Sequence, residues 1–312
     1  MSIPPEQRLK AALLAILAVG AASMQDAIIK SLASTMPAYE AVMIRGLVGM
    51  PILVLLLLFT NGFSSLRTPL LWPLIGRGLV LCAAYFSFIL AIAAMPIANA
   101  VAIYFTMPFF VATLAGPFLG ERVPVYRWLA MIAAFVGVLV MVQPGRSEFE
   151  PASGFALFSA FGYAVGQMMG RHYSQRVPPI VIANVQNAVY FAVGALLHVL
   201  VNAFGWQLTG HKSLEFLTGS AVWPDAHSML LLVVMGCLAA VGSVIFTYAY
   251  KFAQSNFVAP FEYTAMIWAV LFGLFLFGDF PNLVTWVGMT VVILAGLFMT
   301  WRELHGPAQE TG

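Results

Sequence analysis

Runs of about twenty apolar residues, separated by short polar breaks, follow one another from end to end of this chain and leave few folds open. Ten can be placed, at roughly 9–32, 38–60, 71–94, 97–119, 125–143, 153–172, 179–204, 228–252, 256–278 and 283–301. Wound as α-helices, stretches of that length match the hydrocarbon thickness of a bilayer. Of the 312 residues, 62% are hydrophobic and 8% charged, against about a quarter charged in soluble domains. No soluble core buries so much apolar surface. The expected fold class is therefore an all-α polytopic membrane protein with ten transmembrane helices. The breaks carry turn chemistry: Met36-Pro37, Asn61-Gly62, Met95-Pro96, Gln143-Pro144-Gly145, Pro178-Pro179 and Phe280-Pro281-Asn282. The longest polar segment runs from Gly205 to His227, so no extramembrane domain is expected. The first run lacks a small-residue cleavage pattern and reads as a retained helix.

Lysine and arginine set the expected orientation. With the N-terminus in the cytoplasm, the inside segments hold Arg8, Lys10, Arg67, Arg122, Arg127, Arg171, Arg176, Lys251 and Arg302; the outside segments hold Lys30, Arg146 and Lys212. That bias predicts both termini, including a tail at 302–312, on the cytoplasmic side of a bacterial inner membrane. An even number of spans satisfies it.

The two halves repeat. A shift of 158 positions lays Gly120-Glu121 on Gly278-Asp279 and Trp128 on Trp286, with Ala91/Ala249, Thr106/Thr264, Met131/Met289, Leu139/Leu297 and Met141/Met299 also identical. The shared order of long helix, Gly-acid turn and long helix carries more weight than these identities in so apolar a chain. It predicts a duplication, 9–143 and 153–301. Five spans per repeat is odd, so the repeats lie inverted, as in many transporters. Glu121 and Asp279 then fall on opposite sides.

With no catalytic constellation in the polar segments, the informative residues are polar ones inside helices. A charge there costs at least about 2.5–3.5 kcal/mol on insertion scales, so such residues face other helices or a cavity. Glu262, in Pro260-Phe-Glu-Tyr-Thr, can bind a proton or a substrate ammonium; its repeat mate is Tyr104. A structural ion pair with Lys251 or Arg77 is the plainer reading. Asp26 and Lys30 are four apart and share a face, beside Gln25; a local pair with Lys30 snorkelling to water would also account for them. Gln167 and Arg171 repeat that spacing in the second half. Arg45, five residues after Glu40, and Arg77 each precede a glycine that lets a neighbouring backbone approach, and either guanidinium could clamp a carboxylate or phosphate. Asn184, Gln186 and Asn187 put amides on the seventh span, where interhelical hydrogen bonding would explain them. Tyr85, Phe86, Phe88, Tyr163, Tyr190 and Trp268 could line an aromatic cavity or simply pack. Gly162, Gly166 and Gly170 form one small-residue ridge, and Gly116 and Gly120 a shorter one, for close packing or sliding.

Together these residues resemble the EamA branch of the drug/metabolite transporter superfamily. The resemblance is carried by Asp26-Ala-Ile-Ile-Lys30, Pro37, Glu40, Arg45-Gly46, Arg77-Gly78, the run from Pro108-Phe109 to Gly120-Glu121-Arg122, Pro260-Phe-Glu-Tyr-Thr264 and Phe277-Gly-Asp279. It looks closest to a branch holding riboflavin importers and the acyl-malonyl-condensing-enzyme-like carriers of animals. Asp279 departs from the family's usual Glu. The resemblance implies a central cavity lined by helices 1, 3, 4, 6, 8 and 9. It also implies alternating access without ATP, and in many such carriers a coupling proton.

The expected function is secondary transport of a small organic metabolite, with Glu262, Arg77, Tyr85, Tyr104, Asp26, Trp268, Gln167 and Asn187 at the substrate. No cofactor, metal or nucleic-acid partner is expected. A riboflavin-type importer is the nearest alternative. An integral membrane enzyme is remote, because His172, His198, His211, His227 and His305 are scattered without metal spacing. A passive channel fits the repeats and charged interior less well.

Overall fold

The computed structural model describes residues 5–107, 109–111, 113–114, 125–142, 151–174, 176–252, 261–262 and 264–305. These residues are helical with no strand among them. We label the long elements α1 (Pro5–Leu32), α2 (Ala38–Thr60), α3 (Leu71–Ala94), α4 (Ile97–Tyr104), α5 (Val125–Val142), α6 (Ser153–Ser174), α7 (Pro179–Phe204), α8 (Ala226–Phe252), α9 (Thr264–Phe277) and α10 (Leu283–His305). Five helices, at Leu9–Leu32, Ala38–Thr60, Leu71–Ala94, Pro179–Phe204 and Ala226–Phe246, are long and apolar enough to cross a membrane; others at Ile97–Val111, Trp128–Val140, Thr264–Phe277 and Leu283–Phe298 are apolar but shorter.

The helix ends follow the turn residues. Pro37 and Pro96 stand just before α2 and α4, and Pro178 just before α7, whose first residue is Pro179. Proline is pre-organised for a first turn, where its missing N–H is no loss. At the end of α9, Gly278 takes φ +68, its N–H donates to Leu274 O at 3.1 Å, and Asp279 N donates to Gly273 O at 2.9 Å. Only a residue without Cβ enters that left-handed position freely.

One expectation shifts. The fourth run was expected to be continuous over 97–119, but α4 stops at Tyr104 and turns through Phe105 and Thr106 before helix resumes at Met107. Pro108 follows at once and has no N–H for the carbonyl of residue 104, so the helical hydrogen-bond ladder cannot run unbroken through this point. The polar segment after α7 is partly helical. It holds a short helix, Lys212–Thr218, started by His211, whose Nδ1 accepts from Ser213 N at 3.2 Å. That helix is tied down by Ser213 Oγ donating to Leu90 O at 2.7 Å, and Tyr39 Oη donates to Gly219 O at 2.8 Å.

Packing runs between the halves more than within them. α1 lies on α8, and its mate α6 lies on α3; α2 lies on α8, and α7 on α3; α1 touches α9, and α6 touches α4. The pairs α2–α7, α4–α9 and α5–α10 each bring mates together. Glycines mark the crossings. A Cβ on Gly78 would come within 2.9 Å of Val189 on α7, and one on Gly236, 158 positions later, within 2.6 Å of Val48 on α2. A Cβ on Gly166 would run into the Leu81 side chain, so α3 and α6 cross over a glycine there. The outer surface is apolar: Phe275 is 75% and Leu283 79% exposed. In water such a surface would be a liability, whereas against acyl chains it is the required face.

Candidate functional site

Ionisable and aromatic side chains from both halves meet in the middle of the bundle. Tyr163 on α6 marks the centre, within electrostatic reach of Arg77, Arg45, Glu262 and Asp26. Its ring stands edge-on to Tyr104, centroids 5.5 Å apart, and Tyr104 also meets Phe88 at 5.4 Å. Tyr104 and Glu262, mates under the 158-residue shift, come within electrostatic reach of each other where α4 and α9 pack. Beside them Tyr85 and Tyr190 stack, centroids 5.6 Å apart and planes 22° from parallel. The Arg45 guanidinium carbon lies 4.8 Å from the Tyr85 centroid and 5.5 Å from that of Tyr190, over both π faces. Arg45 Nε donates to Gln25 Oε1 at 3.2 Å, and Asp26 lies within electrostatic reach of Arg45.

Among the other selected residues, Arg77, Asn187 and Trp268 make contacts between helices. Arg77 is buried; Nε donates to Gly166 O at 3.0 Å and one terminal nitrogen to Gln186 Oε1 at 2.9 Å. The same guanidinium fills the space above Gly170, so Gly162, Gly166 and Gly170 run along Ala84, Leu81 and Arg77 of α3. Asn187 Nδ2 donates to Gly46 O at 2.9 Å and Asn184 Nδ2 to Leu53 O at 3.0 Å, both joining α7 to α2. Trp268 packs where a Cβ on Gly20 of α1 would sit, 3.2 Å away, and stacks on Phe272. Gln167 is exposed, one turn beyond Tyr163 on the same face of α6. Gly116, Gly120 and Glu121 lie outside the described residues, as do Tyr263 and the Gln143-Pro144-Gly145 break.

Lys30 does not pair with Asp26. Its Nζ meets Asp279 Oδ2 at 3.0 Å, donates to Met95 O at 2.9 Å and sits 5.0 Å from the Phe277 ring centroid. Lys30 is in the last turn of α1, and its long stem reaches the turn after α9 that Gly278 shapes. Glu40 is likewise tied away from Arg45: its Oε2 accepts from Val222 N at 3.2 Å and its Oε1 lies 3.3 Å from His198 Nδ1. The bundle is thus fastened at the end where α1 finishes.

Arg45, Tyr163, Tyr190 and Gln186 stand out in the sequence but are not among the eight residues expected at the substrate. Arg45 and the two tyrosines were visible as polar groups in apolar runs. Which of many such groups converge depends on helix rotation, and the apolar pattern of a membrane helix specifies that weakly. No group of three or more His, Cys, Asp or Glu able to hold a metal occurs among the described residues.

Residues 9–143 and 151–302 each match the EamA-like transporter family. The chain belongs to that family. Two copies of the family's unit fill it, which agrees with the mate-by-mate packing of the helices. Among its relatives, the riboflavin transporter of Rhizobium johnstonii is 28% identical over 78% of this chain and 75% of its own length. The S-adenosylmethionine uptake transporter of Rickettsia felis is 23% identical over 92% of this chain and 91% of its own. A solved crystal structure, 19% identical, superposes with a TM-score of 0.65 over 93% of this chain and 97% of that one, which shows a shared fold.

Proposed function

We propose that this EamA protein is a secondary transporter that carries a small organic metabolite across the bacterial inner membrane by alternating access. It is read as ten spans in two inverted repeats, with both termini cytoplasmic. The observation that carries the reading is the central cluster. Asp26, Arg45, Tyr85 and Tyr104 from one repeat face Tyr163, Tyr190 and Glu262 from the other, at the crossings where mated helices meet. Transporters of inverted-repeat design place the substrate at the repeat interface near the bilayer midplane. Charged groups held there are functional by default.

On this orientation the fastened end faces outside. The Lys30–Asp279 pair and the short helix Lys212–Thr218 then close the outer mouth. A carrier must be able to close one mouth while the other serves the substrate. Purified protein in proteoliposomes should take up a solute from a candidate panel with saturable kinetics. Linear, unsaturable flux of every permeant solute would mark a channel instead.

A second reading, a riboflavin-type vitamin importer, is favoured by the four clustered tyrosines, which offer faces to a flat ring system, and by the riboflavin transporter among the relatives. Growth of a riboflavin auxotroph on low vitamin when it carries this gene decides that reading.

A further inference from the structure

Three polar groups at the centre lack a hydrogen-bond partner among the described residues, and they lie together. The Asp26 carboxylate accepts no hydrogen bond and feels one opposite charge, Arg45. Arg45 engages Nε on Gln25, while its two terminal amino groups donate to nothing. The Tyr85 hydroxyl, on the ring beneath Arg45, is buried and unpaired.

Such groups are not left bare in a membrane interior, because no lipid atom satisfies them. The simplest remedy, a direct Asp26–Arg45 ion pair, is not made, although the two charges lie within electrostatic reach of each other and of the Tyr85 hydroxyl. Gln25 holds Arg45 from the Nε side, and the tyrosine rings hold it from below. What stays free is the forked edge of the guanidinium, whose two parallel donors match a carboxylate. Asp26 nearby matches an ammonium. A ligand with one charge alone would engage one of the two groups and leave the other without a hydrogen-bond partner.

We propose that Asp26 and Arg45 form a two-point clamp for a zwitterionic head group. The solute's carboxylate lies on the Arg45 fork, within reach of the Tyr85 hydroxyl, and its ammonium lies on Asp26. A flat hydrocarbon or heteroaromatic part rests among the tyrosines. The clamp rests on the transporter reading above and narrows it to one substrate class.

The test uses the purified full chain with four probes: L-tryptophan, tryptamine (no carboxylate), indole-3-propionate (no ammonium) and uncharged riboflavin. Binding is read by isothermal titration, and flux in proteoliposomes. L-tryptophan is expected to bind at least tenfold more tightly than either single-charge analogue. Arg45→Gln should erase its advantage over tryptamine, and Asp26→Asn its advantage over indole-3-propionate. Arg45→Lys, which keeps the charge and loses the fork, should fall between wild type and Arg45→Gln and guards against loss of fold. Equal binding of L-tryptophan and its analogues overturns the clamp. So does binding or flux of riboflavin, or of any other solute, at wild-type level in both neutralising variants, although transport itself would then stand. Absence of binding and of saturable flux for every solute, in well-folded protein, overturns the clamp and the transporter reading together.

Discussion

Arg45 and Arg77 are both arginines inside apolar helices, and they differ in what their donors meet. Arg77 bridges α3 to the Gly166 carbonyl of α6 and to Gln186 of α7. Removing it strands two acceptors, each costing about 1–3 kcal/mol when buried. Arg77→Ala is therefore expected to lower the melting temperature in detergent sharply, by an amount equivalent to about 2–6 kcal/mol. Arg45→Gln, which strands no backbone acceptor, should leave the melting temperature within a few degrees of wild type while reducing transport. Similar losses of stability from both would show that Arg45 too is structural. The Lys30–Asp279 pair is intermediate, since the Asp279 side chain is 34% exposed and partly screened. Lys30→Met also frees the Met95 carbonyl. It should speed labelling, by a membrane-impermeant thiol reagent, of a cysteine placed at Tyr104. Labelling at the wild-type rate would separate this pair from closure of the outer mouth.

Among the elements, helix ends were legible and helix faces were not. Proline, glycine and asparagine act on the backbone within a turn, so α2, α3 and α7 begin and end where Pro37, Asn61, Met95 and Pro178 place them. The break in α4 has an equally local cause in Pro108, and the continuous apolar run concealed it. Faces depend on crossings that local chemistry does not encode. The Gly162–Gly166–Gly170 ridge signals close packing but does not name α3 as the partner. Gly236→Ala tests such a crossing, because the new Cβ would fall 2.6 Å from Val48 Cβ and 3.0 Å from the Arg45 carbonyl. Overpacking typically costs about 1–3 kcal/mol, so its melting temperature should fall well below that of Gly154→Ala, where a Cβ meets nothing within 4 Å.

For the whole molecule, pseudo-twofold packing makes orientation a single choice: once one loop is assigned a side, the rest follow. In a background lacking Cys237, a cysteine at exposed Thr209 should label from outside intact cells, and one at exposed Ser64 only after permeabilisation. Both labelling from one side would refute the inverted arrangement. The chain's own residues determined that it lives in lipid, where most helices end and that it is two copies of one unit, because hydrophobicity, turn chemistry and repetition are properties of short stretches. Only the tertiary structure decided that Lys30 meets Asp279 rather than Asp26, that Arg77 ties helices while Arg45 keeps a free edge, and that four tyrosines converge. These outcomes depend on how each helix is rotated about its axis. In a uniformly apolar solvent that rotation is set by the fit of one helix against another, not by which residues are greasy.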